Sequence, residues 1–136
     1  MREVYVPPGG PPQNPIDRAI LPAVGEDGVR KLLHLHYANL EQSSIRGMFP
    51  EDMELSADKS ADFFIQAMGG PPLYVQKYGP PRMRARHMPF PINEKARQIW
   101  LDCMWKAMDD LPFPAEHRPA FEEFLTGFSA WMVNTR

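Results

Sequence analysis

The strongest pattern of apolar residues lies between Asn93 and Pro112. Apolar side chains recur there at spacings of three and four residues, which is the period of one buried helix face. They are Ala96, Ile99, Trp100, Cys103, Met104, Ala107, Met108 and Leu111. Asn93 is a favoured residue at a helix start, and proline cannot continue a helix. The pattern therefore predicts a long helix that Asn93 caps and Pro112 and Pro114 end.

Two further stretches have a similar period. One follows the turn at Gly25–Gly28, with Asp27 as a candidate cap, and ends near Ser43. Its apolar residues are Val29, Leu32, Leu33, Leu35, Tyr37 and Leu40. The other begins at about Pro119, a residue that suits a first helical turn. Its apolar residues are Phe121, Phe124, Leu125, Phe128, Trp131 and Met132.

The remaining elements are shorter or more interrupted. Ser56 is the predicted cap of a helix that ends at the glycine-proline turn of residues 69–72. Its apolar face contains Phe63, Phe64, Ala67 and Met68. A short helix is predicted over Ile16–Leu21, and a short turn leads through Phe49 to Pro50. No stretch alternates as a half-buried strand does, so the fold class is all-α.

Prolines divide the segment from Leu73 to Ile92 so closely that it has room for one short helix, at most Arg82–His87. Met88 precedes Pro89, and a residue in that position is disfavoured in the α region. His87 is therefore expected in the last turn of this helix, with rigid chain following it.

The 136 residues suffice for a single domain. Residues 1–22 are predicted to form a proline- and glycine-rich arm, and residues 23–136 the globular domain. Residues 7–15 cannot form a regular helix or a central strand. Whether they form an extended arm or a disordered tail stays open, as does a role at a cofactor edge or in a dimer.

Composition excludes several classes of function. The formal net charge of −2 argues against a general role on nucleic acid or an anionic membrane. No apolar run approaches the roughly 20 residues of a membrane span. The single cysteine, Cys103, cannot form an internal disulfide, which fits a cytoplasmic location. The expected state is a monomer or a homodimer.

His87 is the candidate metal ligand among the four histidines. None of the four pairs with cysteine at a zinc-site spacing. Neutral imidazole is a good ligand for haem iron, and the neighbouring Arg82, Arg84 and Arg86 are cations of the kind that haem propionates need. On spacing alone, however, an ordinary surface or core histidine is the commoner interpretation.

Several inward-facing residues could form an apolar pocket around such a group. They are Tyr37, Phe49, Phe63, Met83, Phe90, Ile92, Trp100 and Met104. Tyr37 adds an O–H donor and Trp100 an indole N–H donor, both suited to a diatomic ligand. The same residues are equally typical of a plain hydrophobic core.

The segment GGPPLYVQKYGPPRMRARHMPFPI, residues 69–92, together with WLDCM at 100–104, closely resembles the group II truncated haemoglobins. LHLHYANL at 33–40 and MFPED at 48–52 extend the likeness over most of residues 25–136. The resemblance implies a truncated globin fold, a two-over-two helical sandwich around haem b.

The resemblance also implies roles for individual residues. His87 matches the proximal iron ligand. The distal positions match Tyr37, Trp100, Phe49, Ser56 and Ser60. Lys59 and Arg86 match partners of the propionates, and Phe63 and Met83 match haem-packing positions. Ser60 stands where an apolar or larger polar residue is common, and Phe49 lacks the hydroxyl of a tyrosine.

Three functions remain open at this point. The first is a globin that binds and stores or transports O₂, with slow release because two donors face the ligand, and that also accepts NO or CO. The second is a haem enzyme, a NO dioxygenase or peroxidase, which would need a reductase. The third is a globin-fold interaction module without haem.

Overall fold

Helices account for all the regular secondary structure within residues 3–136, the part of the chain that the computed structural model describes. No strand occurs in this part, so the all-α prediction is confirmed. The helices are α1 (Ile20–Val24), α2 (Glu26–Glu41), α3 (Met53–Ala67), α4 (Leu73–Tyr78), α5 (Met83–His87), α6 (Glu94–Asp110) and α7 (Arg118–Met132), with a 3-10 turn at Arg46–Met48 between α2 and α3.

The four longer helices form two stacked pairs, α2 with α3 and α6 with α7. Helix α2 packs against α3 and against α6, and α6 packs against α7. The interior between the pairs is apolar, because each helix turns one stripe of large side chains inward. Its buried residues include Leu32, Leu33, Phe64, Ile65, Met104, Met108, Phe121 and Leu125. Among the described residues, no helix is both long enough and apolar enough to cross a bilayer.

The first two helices start at other residues than predicted. Helix α1 covers Ile20–Val24 and not Ile16–Leu21. Pro22 did not end it, because a proline in the first turn removes no helical hydrogen bond. Helix α2 begins directly after Gly25, so Asp27 is not its cap but lies in its first turn, where the helix dipole favours an anion.

Helix α3 also begins earlier than predicted. Asp52, and not Ser56, is its cap, since an Asp52 carboxylate oxygen accepts a hydrogen bond of 3.0 Å from the Leu55 amide. A carboxylate satisfies a free N–H and also complements the positive end of the helix dipole. Ser56 consequently lies within the helix, and its side chain is free to face inward.

Helix α4, which lies between two pairs of prolines, was not predicted. Pro71 and Pro72 precede it, and a Gln66 side-chain oxygen accepts a hydrogen bond of 2.9 Å from the Val75 amide in its first turn. The turn before it requires glycine. Gly69 has a φ of +94°, and a Cβ on Gly70 would lie 2.9 Å from the Ile65 carbonyl oxygen.

Helix α5 covers Met83–His87, within the predicted limits. The expectation that Met88 leaves the α region is wrong, since its φ and ψ are −57° and −34°. A turn hydrogen bond of 2.9 Å from the Phe90 amide to the His87 carbonyl holds this conformation. Helix α6 is capped as predicted, with an Asn93 side-chain oxygen accepting from the Ala96 amide at 2.9 Å.

The N-terminal residues lie against the end of the chain. The Tyr5 amide donates a hydrogen bond of 3.0 Å to the Asn134 carbonyl oxygen. Ile16 and Ile20 are 2% and 0% exposed and belong to the core. The division into arm and domain at residue 22 stays a prediction.

A buried carboxylate joins three helices. Asp62 on α3 is 1% exposed and accepts hydrogen bonds from Arg30 of α2 at 2.6 Å and from Lys77 of α4 at 2.9 Å. Burial by itself raises the pKa of the Asp62 carboxyl, but the hydrogen bonds and charges of Arg30 and Lys77 outweigh it and hold that pKa below its usual value.

We therefore expect Asp62→Asn to lower the free energy of unfolding at pH 7 by about 2 kcal/mol. This is less than the ~3–5 kcal/mol typical of a fully buried pair, because Arg30 and Lys77 remain partly hydrated. A lowered folded pKa stabilises above the unfolded pKa of about 4 and loses that effect as the pH falls through the folded value. The variant's deficit should therefore shrink in acid.

Urea unfolding at several pH values measures the difference. Asp58→Asn is the matched control, because Asp58 lies one turn earlier on the same helix and pairs with His34 in solvent. Its effect should stay within about 0.5 kcal/mol. Equal effects of the two substitutions would contradict the structural role of Asp62.

Candidate functional site

A cavity of about 380 Å³ lies among α2, α3, α5, α6 and α7. Its volume is within the range of about 300–1,000 Å³ typical of small-molecule sites. It brings together residues that are far apart in the sequence. Of the residues predicted for the site, those that line it are Tyr37, Phe49, Ser56, Lys59, Ser60, Phe63, Met83, Arg86, His87, Phe90, Ile92 and Trp100.

Met104 is the predicted site residue that lies outside the cavity. It is 0% exposed and belongs to the hydrophobic core. Only the first half of α6 borders the cavity, through Ala96, Arg97 and Trp100. Met104 is one turn further along and packs between the helix pairs, so we do not retain it as a cofactor contact.

Sequence reasoning missed about half of the lining. The additional residues are Ile45, Met48, Pro50, Phe64, Tyr74, Ala96, Arg97, Phe128, Ser129 and Met132. Some had a usable signal: Phe128 and Met132 stand on the apolar stripe of α7, which was assigned to the core as a whole. Tyr74 had none, because the prolines around α4 concealed that helix.

His87 is fixed in one tautomer. Its Nδ1 lies 2.6 Å from the Met83 carbonyl oxygen one turn earlier. A carbonyl can only accept, so Nδ1 carries the proton and Nε2 keeps the lone pair of the ring. Burial is the main influence on the pKa of His87 and lowers it, which favours the neutral imidazole. The His87 side chain therefore has an unprotonated Nε2 that can bind a metal ion.

Tyr37 and Ser60 form a pair on a different wall of the cavity. Their hydroxyl oxygens are 2.7 Å apart, and either can be the donor. Burial raises the pKa of the Tyr37 phenol, so it remains a neutral O–H group. The Phe49 ring packs edge-on against Tyr37 with a centroid distance of 5.7 Å. This wall presents hydroxyl groups within an otherwise apolar surface.

Trp100 is held from behind by His36, which does not line the cavity. The His36 Nε2–H donates a hydrogen bond of 3.0 Å to the Trp100 carbonyl oxygen, and the two rings meet edge-on at 4.8 Å. His36 is 0% exposed, and its Nδ1 has no hydrogen-bond partner within residues 3–136. Burial lowers the pKa of His36 to about 4.

Three cationic side chains border the cavity. Lys59 lies over the Tyr78 ring at 4.8 Å from its centroid. Arg86 donates hydrogen bonds to the carbonyl oxygens of residues 78, 80 and 81, at 2.7 to 3.3 Å. Arg97 donates to Glu94 and to the Ser129 hydroxyl. Arg84 and Arg82 do not reach this cavity.

The arrangement fits an apolar group with anionic substituents. Aromatic and methionine residues are half of the lining, three cationic residues border it, and His87 lies among them with an unprotonated Nε2. Within the described residues, no group of three or more His, Cys, Asp or Glu side chains could hold a metal ion by themselves.

Comparison with known proteins shows which family this chain resembles. The family model described as bacterial-like globin matches residues 22–134. The group 2 truncated hemoglobin YjbI of Bacillus subtilis (strain 168) is 39% identical over 106 residues, which are 77% of each chain. These matches confirm the resemblance that the sequence motifs indicated.

Solved structures agree with the sequence matches. Phosphate-bound Hell's gate globin IV has a TM-score of 0.88 and 39% identity, covering 93% of this chain and 81% of that one. The truncated oxygen-avid haemoglobin from Bacillus subtilis has a TM-score of 0.81 and 36% identity, covering 84% and 98%. The group II truncated hemoglobin from Bacillus anthracis has a TM-score of 0.82 and 36% identity, covering 85% and 95%. The predicted truncated globin fold is thereby confirmed.

The buried His36 generates a prediction about pH. Its folded pKa of about 4 lies below the unfolded value of about 6.5, so stability is complete above pH 6.5 and falls towards pH 4. The shift corresponds to about 3 kcal/mol. His36→Leu removes the hydrogen bond to the Trp100 carbonyl at neutral pH. We expect it also to remove the part of the pH dependence of the free energy of unfolding that His36 contributes.

Urea unfolding of wild type and variant between pH 7.5 and 4.5 measures how the free energy of unfolding depends on pH. Contributions from other titrating groups cancel when the two proteins are subtracted. His34→Gln is the control, because His34 is two residues away but partly exposed and paired with Asp58. It should change the free energy of unfolding at pH 7.5 by no more than about 0.5 kcal/mol. Parallel curves for wild type and His36→Leu would exclude a buried neutral His36.

Proposed function

Because the chain belongs to the bacterial-like globin family, whose cofactor is haem, we propose that it reversibly binds O₂ and other diatomic gases and releases O₂ slowly. The haem iron, when bound, supplies the position at which the gas coordinates. The observation that carries the proposal is the hydrogen bond from His87 Nδ1 to the Met83 carbonyl, which leaves Nε2 as the ligand atom for iron.

His87 is the proposed protein ligand on the proximal side. The Met83 carbonyl fixes the rotation of its ring and increases the basicity of Nε2. Met83, Phe90 and Ile92 line the same cavity and present apolar surface beside it. These side chains exclude water from the imidazole, which retains it in the neutral form that binds metal.

Tyr37 and Trp100 are the proposed donors on the distal side. Ser60 can donate its own proton to the Tyr37 oxygen at 2.7 Å, which leaves the phenol proton for the gas ligand. A hydrogen bond to a charged group contributes about 1.5–3 kcal/mol. Since each 1.4 kcal/mol is about tenfold in a rate or equilibrium, one such bond is enough to slow dissociation markedly.

Ser56 and Phe49 complete the distal wall. Phe49 contributes no donor and packs against Tyr37, so it limits the directions in which the phenol can point. Ser56 stands on α3 one turn before Ser60 and adds a second hydroxyl to the lining. The relative from Bacillus subtilis that is described as oxygen-avid supports slow O₂ release by similarity.

Lys59, Arg86 and Arg97 are the proposed partners of the haem propionates. Lys59 is exposed and has no carboxylate partner among the ion pairs of the described residues, so it is the most available of the three. Arg86 already donates to backbone carbonyls, and it contributes mainly charge. Arg97 is shared with Glu94 at 2.6 Å.

Replacement of the proximal ligand tests the first half of the proposal. His87→Gly should purify without the Soret spectrum of the wild type, and added imidazole should restore it by taking the vacated position. His117→Gln is the control, since His117 does not line the cavity. An unchanged Soret spectrum in His87→Gly, without imidazole, would exclude His87 as the ligand.

Replacement of the distal phenol tests the second half. Tyr37→Phe should increase the O₂ dissociation rate by about tenfold or more, because it removes a charge-assisted donor and little volume. Tyr78→Phe is the matched control, since Tyr78 does not line the cavity, and its rate should stay within about twofold. Stopped-flow displacement of O₂ by CO measures both. Equal rates for wild type and Tyr37→Phe would refute the donor role.

A further inference from the structure

Helix α5 carries His87 but has little that could hold it in place by itself. It has five residues, none of them fully buried, and no side chain caps its start. The residue before it, Arg82, has a φ of +37°, which is unusual for a residue with a Cβ. A helix of this length is not stable in isolation. The position of His87 therefore depends on what surrounds the helix, and α5 packs against α7.

Asn134 follows α7 and lies directly at the end of α5. It is 0% exposed. Its side-chain nitrogen donates to the carbonyl oxygens of His87 at 3.1 Å and Phe90 at 2.9 Å. Its side-chain oxygen accepts from the Ile92 amide at 3.0 Å. One side chain thus holds the backbone of three residues that line the cavity.

The backbone of Asn134 is bound in the same place. Its amide donates to the Ile92 carbonyl at 3.0 Å, and its carbonyl accepts from the Tyr5 amide at 3.0 Å. The side chain must supply one acceptor and two donors at once, and among short side chains only the neutral amide of asparagine does so. The hydrogen bonds therefore require asparagine at position 134, whereas packing alone would accept other side chains of similar size.

Arg84 holds the first half of α5 to the same segment. Its guanidinium donates to the carbonyl oxygens of Trp131 at 2.5 Å, Val133 at 2.8 Å and Tyr5 at 2.8 Å. It also lies over the Trp131 ring, 4.5 Å from the centroid. Both ends of the short helix are therefore hydrogen-bonded to the last turn of α7 or the residues that follow it, and the first end is also bonded to Tyr5.

We propose that Asn134 is a positioning residue for the proximal ligand. Met83 fixes His87 at Nδ1, and Asn134 fixes it at the backbone carbonyl, so the two contacts together set the distance and tilt of the imidazole towards the cofactor. The inference rests on the proposed function, since it requires His87 to bind the iron. Removing the amide leaves the Phe90 carbonyl and the Ile92 amide without their partner, leaves the His87 carbonyl with the Phe90 amide alone, and lets α5 move.

The test compares haem-loaded wild type with Asn134→Ala and Asn134→Asp. Asn134→Asp keeps the size of the side chain and the acceptor for Ile92, but it places an acceptor against the carbonyls of His87 and Phe90. The iron–histidine stretching band of the ferrous, ligand-free protein is recorded by resonance Raman spectroscopy. Haem loss is followed by transfer to excess apomyoglobin.

We expect the band to shift and broaden in both variants, and haem loss to accelerate by about tenfold, which corresponds to about 1.4 kcal/mol. Asn39→Ala is the matched control. The Asn39 side-chain amide likewise donates to the carbonyl of a residue far away in the sequence, Cys103, at 2.9 Å. This hydrogen bond joins α2 to α6 away from the cavity. This variant should lose stability and retain the wild-type band.

The outcomes separate the two proposals. A wild-type band in both Asn134 variants, with haem loss no faster than in Asn39→Ala, overturns the positioning role. A wild-type protein without an iron–histidine band, or a band that persists in His87→Gly, overturns the proposed ligand instead. If Asn134→Ala fails to fold, Asn134→Asp, which is isosteric, gives the decision.

Discussion

The hydrogen bond from His87 Nδ1 to the Met83 carbonyl is the constraint around which the site is built. It decides which ring nitrogen carries the proton and which one keeps a lone pair. The bond exists only because the chain between the two residues makes a single helical turn. Everything that keeps this turn in place therefore contributes to the chemistry, even where it lies far from the cavity.

The two sides of the cavity are stabilised in different ways. The wall with Tyr37 and Trp100 stands on long helices that share the hydrophobic core, with His36 bonded to the Trp100 backbone behind it. The wall with His87 has no such core and depends on hydrogen bonds to backbone carbonyls. Long amphipathic helices tolerate the loss of a single contact better than a one-turn helix does. The proximal side is consequently the more sensitive to substitution.

Much of this could be predicted from the sequence. The stripe from Ala96 to Leu111 indicated α6 and its cap because a buried helix face leaves a clear period. Helix α4 could not be predicted, because the prolines on both sides of it were interpreted as helix breakers. They in fact precede its first turn and follow its last one. Met104 was misplaced because periodicity shows that a residue faces inward, but not whether it faces a core or a cavity. Asn134 had no signal at all: its partners lie more than 40 residues away in the sequence.

That separation has a consequence for how the protein is made. Asn134 lies 47 residues after His87, so the proximal helix is synthesised before the residue that anchors it. The proposed iron ligand precedes α6 and α7 in the chain, but the contacts that orient it come from the residues that follow α7. With the proposed role of Asn134, the cofactor site reaches its final geometry only after this residue has been synthesised and has folded back onto α5.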